Sequence, residues 1–182
     1  MIKFEVVTEY QDKNINLPKR STKYSAGYDI EAAKTIIVPS IFRLIKENNN
    51  IFPKPGHHKY YDIKTAKNVV KHLNLRTMIP TGLKVKMEDN MFLELHPRSG
   101  IGSNCLLQLA NQTGIIDSDY YNNPDNEGHI FIALVNLSPC DIEIHKGDKI
   151  AQGIFRTYIT TDDDSAEGER SGGFGSTDKN NK

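Results

Sequence analysis

The sequence predicts an all-β fold, a sandwich or a barrel. Three observations carry that reading. The dominant hydrophobic period is two, the apolar runs are short, and Gly, Pro, Asn and Asp separate them at close intervals. Many short strands between such breakers suit a closed or double-sheet architecture, which leaves few exposed edges.

The expected strands follow in order. Phe4-Glu5-Val6-Val7-Thr8 opens the chain as a short strand. Residues 76–85 read as a strand pair around Pro80-Thr81-Gly82, and Met91 to Leu95 alternates as a further strand. His129 to Asn136 is an almost wholly apolar run, bounded by Asn-Glu-Gly before it and Ser-Pro after it. Asp141-Ile142-Glu143-Ile144 alternates cleanly, Lys146-Gly147-Asp148 reads as a hairpin turn, and Lys149 to Tyr158 is the last strand.

One stretch breaks the period. In residues 62–75, Ile63, Ala66, Val69, Val70 and Leu73 recur at helical spacing, and Asp62 stands where an N-cap belongs. This predicts a short amphipathic helix. It lies within residues 40–75, which also hold the Asn48-Asn49-Asn50 run and Pro53-Lys54-Pro55-Gly56, so the whole stretch reads as an insertion into a β fold. From residue 160 on the chain is polar and Gly-rich, the composition of a mobile tail. The expected organisation is one β domain over residues 1–159, with residues 160–182 as a flexible arm.

The 182 residues are 37% hydrophobic, enough for a core, and 23 basic side chains balance 23 acidic ones. Net charge therefore names no nucleic-acid or acidic partner. The charge is uneven: residues 1–100 carry 17 basic and 10 acidic side chains, residues 101–182 carry 6 and 13. The basic excess concentrates around residues 40–76, where a protein or nucleic acid could dock; a solvated surface explains it more simply. Cys105 and Cys140 make no disulfide framework, the first residues lack a signal-peptide core, and no apolar run is long enough to span a membrane. The expected setting is intracellular, cytoplasm or nucleus alike.

Five short motifs can carry chemistry. Asp29, in Ser25-Ala26-Gly27-Tyr28-Asp29, is a carboxylate at a strand start that can hold a hydrated Mg2+ through water. Arg98, Ser99 and Gly100 follow Pro97 and bring a guanidinium, a hydroxyl and open N–H groups into one turn, a set that clasps phosphate oxygens. In Asn111-Gln112-Thr113-Gly114-Ile115-Ile116-Asp117-Ser118-Asp119-Tyr120, the carboxylates two apart share a face if the strand continues, and one of them can act as a base on water. Gln152 lies in the strand after Lys146-Gly147-Asp148. Arg170, Phe174, Gly175, Ser176 and Thr177 give the tail a cation, a ring, a close-approach residue and two hydroxyls. Each motif alone is an ordinary turn or strand end.

Their order is not ordinary. Ala26-Gly27-Tyr28-Asp29, Pro97-Arg98-Ser99-Gly100, Gly114 to Tyr120, Asp148-Lys149-Ile150-Ala151-Gln152 and Gly172-Gly173-Phe174-Gly175-Ser176-Thr177 resemble, in family order, the five motifs of the trimeric dUTPases. The resemblance spans most of the chain outside residues 40–75. It implies a jelly-roll-type β-barrel, a homotrimer with shared active sites, and Mg2+-dependent hydrolysis of dUTP to dUMP and pyrophosphate. It assigns Asp117 to the attacking water and Tyr120 to the deoxyribose. Asn111, Gly114 and Ile116 fall to the base-binding stretch, and Arg98, Ser99, Gly100 and Gln152 to the phosphates. Asp29 falls to the metal through water, and Arg170, Phe174, Gly175, Ser176 and Thr177 to a C-terminal arm over a neighbour's site.

Three departures stand out. One residue, Ser171, separates Arg170 from Gly172 where the family has two. Residues 121–128 make the hairpin tip longer. Residues 40–75 have no family role. Two rivals remain distinct: a dCTP deaminase on the same fold, which needs a catalytic Glu, and a nucleotide-sensing or partner-binding protein on a dUTPase scaffold with reduced activity.

Overall fold

The computed structural model describes residues 1–48 and 60–168. Twelve strands and three helices are present among them: β1 Lys3–Val6, β2 Lys19–Arg20, β3 Tyr28–Glu31, β4 Ile36–Val38, α1 Ile41–Glu47, α2 Ile63–His72, β5 Thr77–Pro80, β6 Leu83–Lys86, β7 Met91–Pro97, α3 Ser99–Asn104, β8 Leu107–Leu109, β9 Gly114–Asp117, β10 Phe131–Asn136, β11 Ile142–Ile144 and β12 Lys149–Thr157. The all-β expectation holds.

The strands form a five-stranded sheet ordered β2-β3-β12-β7-β9, a three-stranded sheet β5-β10-β8, and two ribbons, β1-β6 and β4-β11. All the pairings are antiparallel. Alternation explains how the layers close. On β10, Ile132, Leu134 and Asn136 are buried while Phe131, Ala133 and Val135 are less so. On β7, Met91, Leu93 and Leu95 face inward. They meet Ile30, Val38, Ile79, Leu83, Leu107 and Ile150 in one core.

Three expected hairpins are not hairpins: residues 121–128 join β9 to β10, which lie in different sheets, and two shorter turns do the same. β5 and β6 flank the Pro80-Thr81-Gly82 turn, but β5 pairs with β10 and β6 with β1. Likewise β11 pairs with β4, and β12 with β3 and β7, so the Lys146-Gly147-Asp148 turn carries the chain from one sheet to another. Both turns act as sheet-switching corners, the device that closes a barrel.

The helix over residues 63–72 is present, and the Asp62 carboxylate accepts from the Thr65 amide at 2.7 Å. Asn74, in the left-handed region at φ 50°, ends it. Within one chain its apolar stripe buries only at the end: Leu73 is 3% exposed, whereas Ile63 is 76% exposed. Helix α1 had no sequence forecast. Its start is held from far away: Asp141 accepts from the Ser40 amide and from Arg43 Nε, both at 2.9 Å, and Ser40 Oγ donates to the Ser138 carbonyl at 2.7 Å. A carboxylate at a helix N-terminus is favourably placed. Asn136, wholly buried, completes this knot by donating to the Val38 and Cys140 carbonyls and accepting from the Ser138 amide and hydroxyl.

Candidate active site

The five-stranded sheet brings the scattered motifs together on one face. Asp29 on β3 stands opposite Gln152 on β12, which stands opposite His96 on β7. Cross-strand partners share a face, and residues two apart along a strand do too. Arg98, two beyond His96, therefore reaches the same side.

Lys149 should not join them. It lies three residues before Gln152, and an unbroken strand would turn it to the opposite face. A register shift between Lys149 and Ala151 pairs Lys149 with Glu31 and Ala151 with Ile30, leaving Ile150 as the extra residue. The bulge returns Lys149 to the face of Asp29 and Gln152. Both Lys149 and Ser21 escaped the sequence reading. Lys149 belongs to a motif already singled out, but only the bulge gives it this position.

Asp29 is the hub. It is 9% exposed, and Ser21 Oγ donates to it at 2.7 Å, Lys149 Nζ at 2.8 Å and Arg98 Nε at 2.9 Å. Burial opposes ionisation, but the Lys149 ammonium, the Ser21 hydroxyl and the Arg98 guanidinium together outweigh it and hold the carboxyl below its usual range. A cleft of about 260 Å3 opens beside it, lined by Asn16, Leu17, Lys19, Asp29, Glu31 and Lys149.

A metal ion fits this hub in only one manner. Among the described residues no group of three or more His, Cys, Asp or Glu side chains converges to hold one. A carboxylate offers about four lone-pair positions, and three donors already occupy Asp29. One position is left, which suits a hydrogen bond from a metal-bound water and not a protein cage.

Arg98 is the N-cap residue of α3, and Ser99 and Gly100 are its exposed first residues. The expected Gly-containing turn is thus the start of a short helix that ends at Asn104. The Gln152 side chain reaches the Pro97 carbonyl at 3.4 Å.

The third motif lies along β9. Gly114 and Ile116 pair with Leu95 and Leu93, and Asp117 with Phe92. The strand ends there, because Ser118–Tyr120 turns as a 3-10 helix. The expectation that Asp117 and Asp119 share a strand face is therefore corrected. Asn111 is exposed in the turn between β8 and β9, while Tyr120 is 4% exposed.

Asp117 and the Asp29 hub are on the same sheet face but far apart. Arg98 lies six residues along the chain from Phe92, the partner of Asp117. At the rise of a strand that is about 20 Å. Arg170, Phe174, Gly175, Ser176 and Thr177 lie outside the described residues.

The chain is similar to known proteins. Residues 48–178 match the dUTPase family model. The deoxyuridine 5'-triphosphate nucleotidohydrolase of Lactococcus lactis subsp. lactis (strain IL1403) is 40% identical over 176 residues, covering 96% of this chain and 95% of the relative. The crystal structure of dUTPase from Streptococcus mutans superposes with a TM-score of 0.66 at 31% identity, covering 88% of this chain and 98% of that one. A dUTPase from phage phi11 of S. aureus, described as showing the coordination of a structural Mg(II) ion, has a TM-score of 0.58 at 19% identity, covering 92% and 97%, a likeness of fold alone. With the motif order, the sheet that carries four of the motifs and these matches over nearly its full length, the chain belongs to the dUTPase family.

Proposed function

We propose that this protein hydrolyses dUTP to dUMP and pyrophosphate, at sites built jointly by neighbouring copies in a homotrimer. The observation that carries the reading is the convergence of Asp29, Arg98, Lys149 and Gln152 on one sheet face, with Asp117 about 20 Å away on the same face. Phosphorus atoms in a triphosphate are separated by single bridging oxygens. One chain cannot set both Arg98 and Asp117 against so short a target. A second copy supplying Asp117 removes the conflict.

Asp117 holds the attacking water and takes up its proton as the oxygen bonds to the α-phosphorus. The bond from the α-phosphorus to its bridging oxygen breaks, and pyrophosphate leaves with the electron pair. Arg98 and Lys149 offer positive charge where the phosphate oxygens gather negative charge, and Ser99, Gly100 and Gln152 offer hydrogen bonds that fix the phosphates in line. Mg2+, bound with the triphosphate, supplies further neutralisation of that charge, and Asp29 would hold it through a water.

Asn111, Gly114 and Ile116 line the base-binding stretch and Tyr120 the sugar. Residues 1–159 form the catalytic domain. Residues 160–182 serve as the arm, with Arg170, Phe174, Gly175, Ser176 and Thr177 contributing to the grip on substrate. Among the described residues no helix is long and apolar enough to cross a membrane.

The test is pyrophosphate release from dUTP, with UTP, dTTP and dCTP in parallel, in Mg2+ and after chelation. The expected result is turnover of dUTP alone, lost on chelation and reduced about 100-fold or more in Asp117→Asn. Ammonia release from dCTP, or no turnover by the folded trimer, would overturn the reading.

A further inference from the structure

The tip of the loop after Tyr120, which carries the chain from β9 to β10 in another sheet, is folded around two asparagines. Asn123, 5% exposed, accepts from the Asp125 amide at 3.0 Å and the Asn126 amide at 3.3 Å. Its Nδ2 donates to the Tyr120 carbonyl at 3.1 Å and to Asn126 Oδ1 at 2.8 Å. Asn126 Oδ1 also accepts from the Gly128 amide at 3.1 Å. The orientation of the Asn126 amide is thereby fixed, because both contacts need its oxygen.

That fixed orientation aims Asn126 Nδ2 at the Tyr120 hydroxyl, at 2.8 Å. The same hydroxyl donates to the His129 carbonyl at 3.1 Å. A phenol that both donates and accepts cannot swing its hydroxyl end aside without breaking one bond. The base of the tip is clamped as well. Glu127 accepts from Lys84 Nζ at 2.6 Å, from the Thr8 amide at 2.9 Å and from Thr8 Oγ1 at 3.1 Å. Lys84 also donates to Asn122 Oδ1 at 2.7 Å, and Tyr121 donates its hydroxyl proton to Glu5.

We propose that Asn126 is a positioning and specificity-determining residue, which locks the Tyr120 ring so that a deoxyribose fits against it and a 2′-hydroxyl does not. This rests on the reading of Tyr120 as the ring beneath the sugar. A pocket rejects one added hydroxyl only as far as its wall refuses to yield, so the discrimination depends on what braces the wall. The longer tip is what makes the brace possible, because it carries Asn123 to the Tyr120 carbonyl and Asn126 to the Tyr120 hydroxyl.

The experiment measures kcat and KM for dUTP, and for UTP as substrate and as competitive inhibitor, in the wild type, Asn126→Ala, Asn126→Asp, Tyr120→Phe, Tyr120→Leu and Tyr120→Phe/Asn126→Ala. Asn126→Ala is expected to relax the preference for dUTP about five- to tenfold, the loss of one neutral hydrogen bond, through KM or Ki and not kcat. Tyr120→Phe is expected to do the same, and the double variant no more than either single one. In Asn126→Asp the new carboxylate oxygen can accept from the Tyr120 hydroxyl in place of the His129 carbonyl and restore a brace, so Tyr120→Phe, which removes both hydroxyl bonds and keeps the Asn126 contacts to Asn123 and Gly128, carries the comparison if the alanine variant fails to fold. An unchanged preference in Asn126→Ala and Tyr120→Phe, equal loss of kcat for both nucleotides, or additive effects in the double variant would overturn the inference. If Tyr120→Leu also leaves the preference unchanged, the sugar-facing reading itself fails; if Tyr120→Leu relaxes it and Asn126→Ala and Tyr120→Phe do not, only the inference fails.

Discussion

Gly128→Ala tests how tightly the tip of the β9–β10 loop is built, and Gly147→Ala is its internal control. Both glycines hold left-handed backbone, at φ 77° and 89°. That conformation costs an L-residue about 1–2 kcal/mol. Their surroundings differ. A Cβ on Gly147 meets nothing within 4 Å, so the backbone cost is the whole cost. A Cβ on Gly128 falls 2.5 Å from the Tyr120 carbonyl oxygen, 3.0 Å from the Asn122 nitrogen and 3.1 Å from Tyr121 Cα. All three are main-chain atoms held by the network around Asn123, and forcing such an overlap adds about 1–3 kcal/mol. The expected loss is about 2–5 kcal/mol for Gly128→Ala against about 1–2 kcal/mol for Gly147→Ala. Denaturant unfolding of the two variants at one protein concentration measures the difference, with unchanged m-values as the check on comparability. Since the Tyr120 carbonyl must retreat, Gly128→Ala should also raise KM for dUTP. Equal losses in the two variants would refute the packing account of the tip.

Two further predictions concern buried polar groups. Asn136→Ala removes four side-chain hydrogen bonds and leaves the buried Val38 carbonyl and Ser138 amide short of a partner, while the Cys140 carbonyl keeps the Ser138 hydroxyl. Thermal or denaturant unfolding should show a loss of about 3 kcal/mol, and a loss under about 1 kcal/mol would mean the knot at the base of residues 40–75 adds nothing. His129 Nε2 accepts from the Gly82 amide at 2.9 Å, and burial pushes its pKa down to about 4 against weak opposition from Glu9 and Glu127. The unfolded chain takes up that proton near pH 6.5 and the folded chain only near 4, so this contribution is complete above 6.5 and is lost as pH falls from 6.5 towards 4. The loss amounts to about 3 kcal/mol; unfolding midpoints across that range should flatten in His129→Gln, and an unchanged pH slope in that variant would rule His129 out as the cause.

The sequence yields whatever is encoded locally. Asp62 and the spacing from Ile63 to Leu73 marked α2, and the apolar run ending at Asn136 marked β10, because a cap and a period are short-range signals. Helix α1 was not readable, since the groups that hold its start, Asp141 and Ser138, are about a hundred residues away in the chain. The turns at Pro80-Thr81-Gly82 and Lys146-Gly147-Asp148 were legible as turns. Their flanking strands were not assignable to partners, because pairing is decided by the barrel and not by the turn. The site shows the same division. Asp29, Arg98 and Gln152 were identified and do converge, whereas Lys149 reaches Asp29 only through a bulge that no local pattern announces. Asn126 and Glu127 lay in a stretch noted only as longer than the family pattern. Their roles depend on Tyr120, Lys84 and Thr8, brought to them by folding.

The central claim is that each site takes Asp117 from one copy and Arg98 from another. Asp117→Asn and Arg98→Gln chains, each inactive alone, can be unfolded together in equal amounts and refolded as mixed trimers, then assayed for pyrophosphate release from dUTP. A shared site is intact when one neighbour carries the normal Asp117 and the next the normal Arg98, which random assembly gives about one time in four, so the mixture should regain about a quarter of wild-type activity. A mixture that forms trimers and stays as inactive as its parents would contradict the shared site.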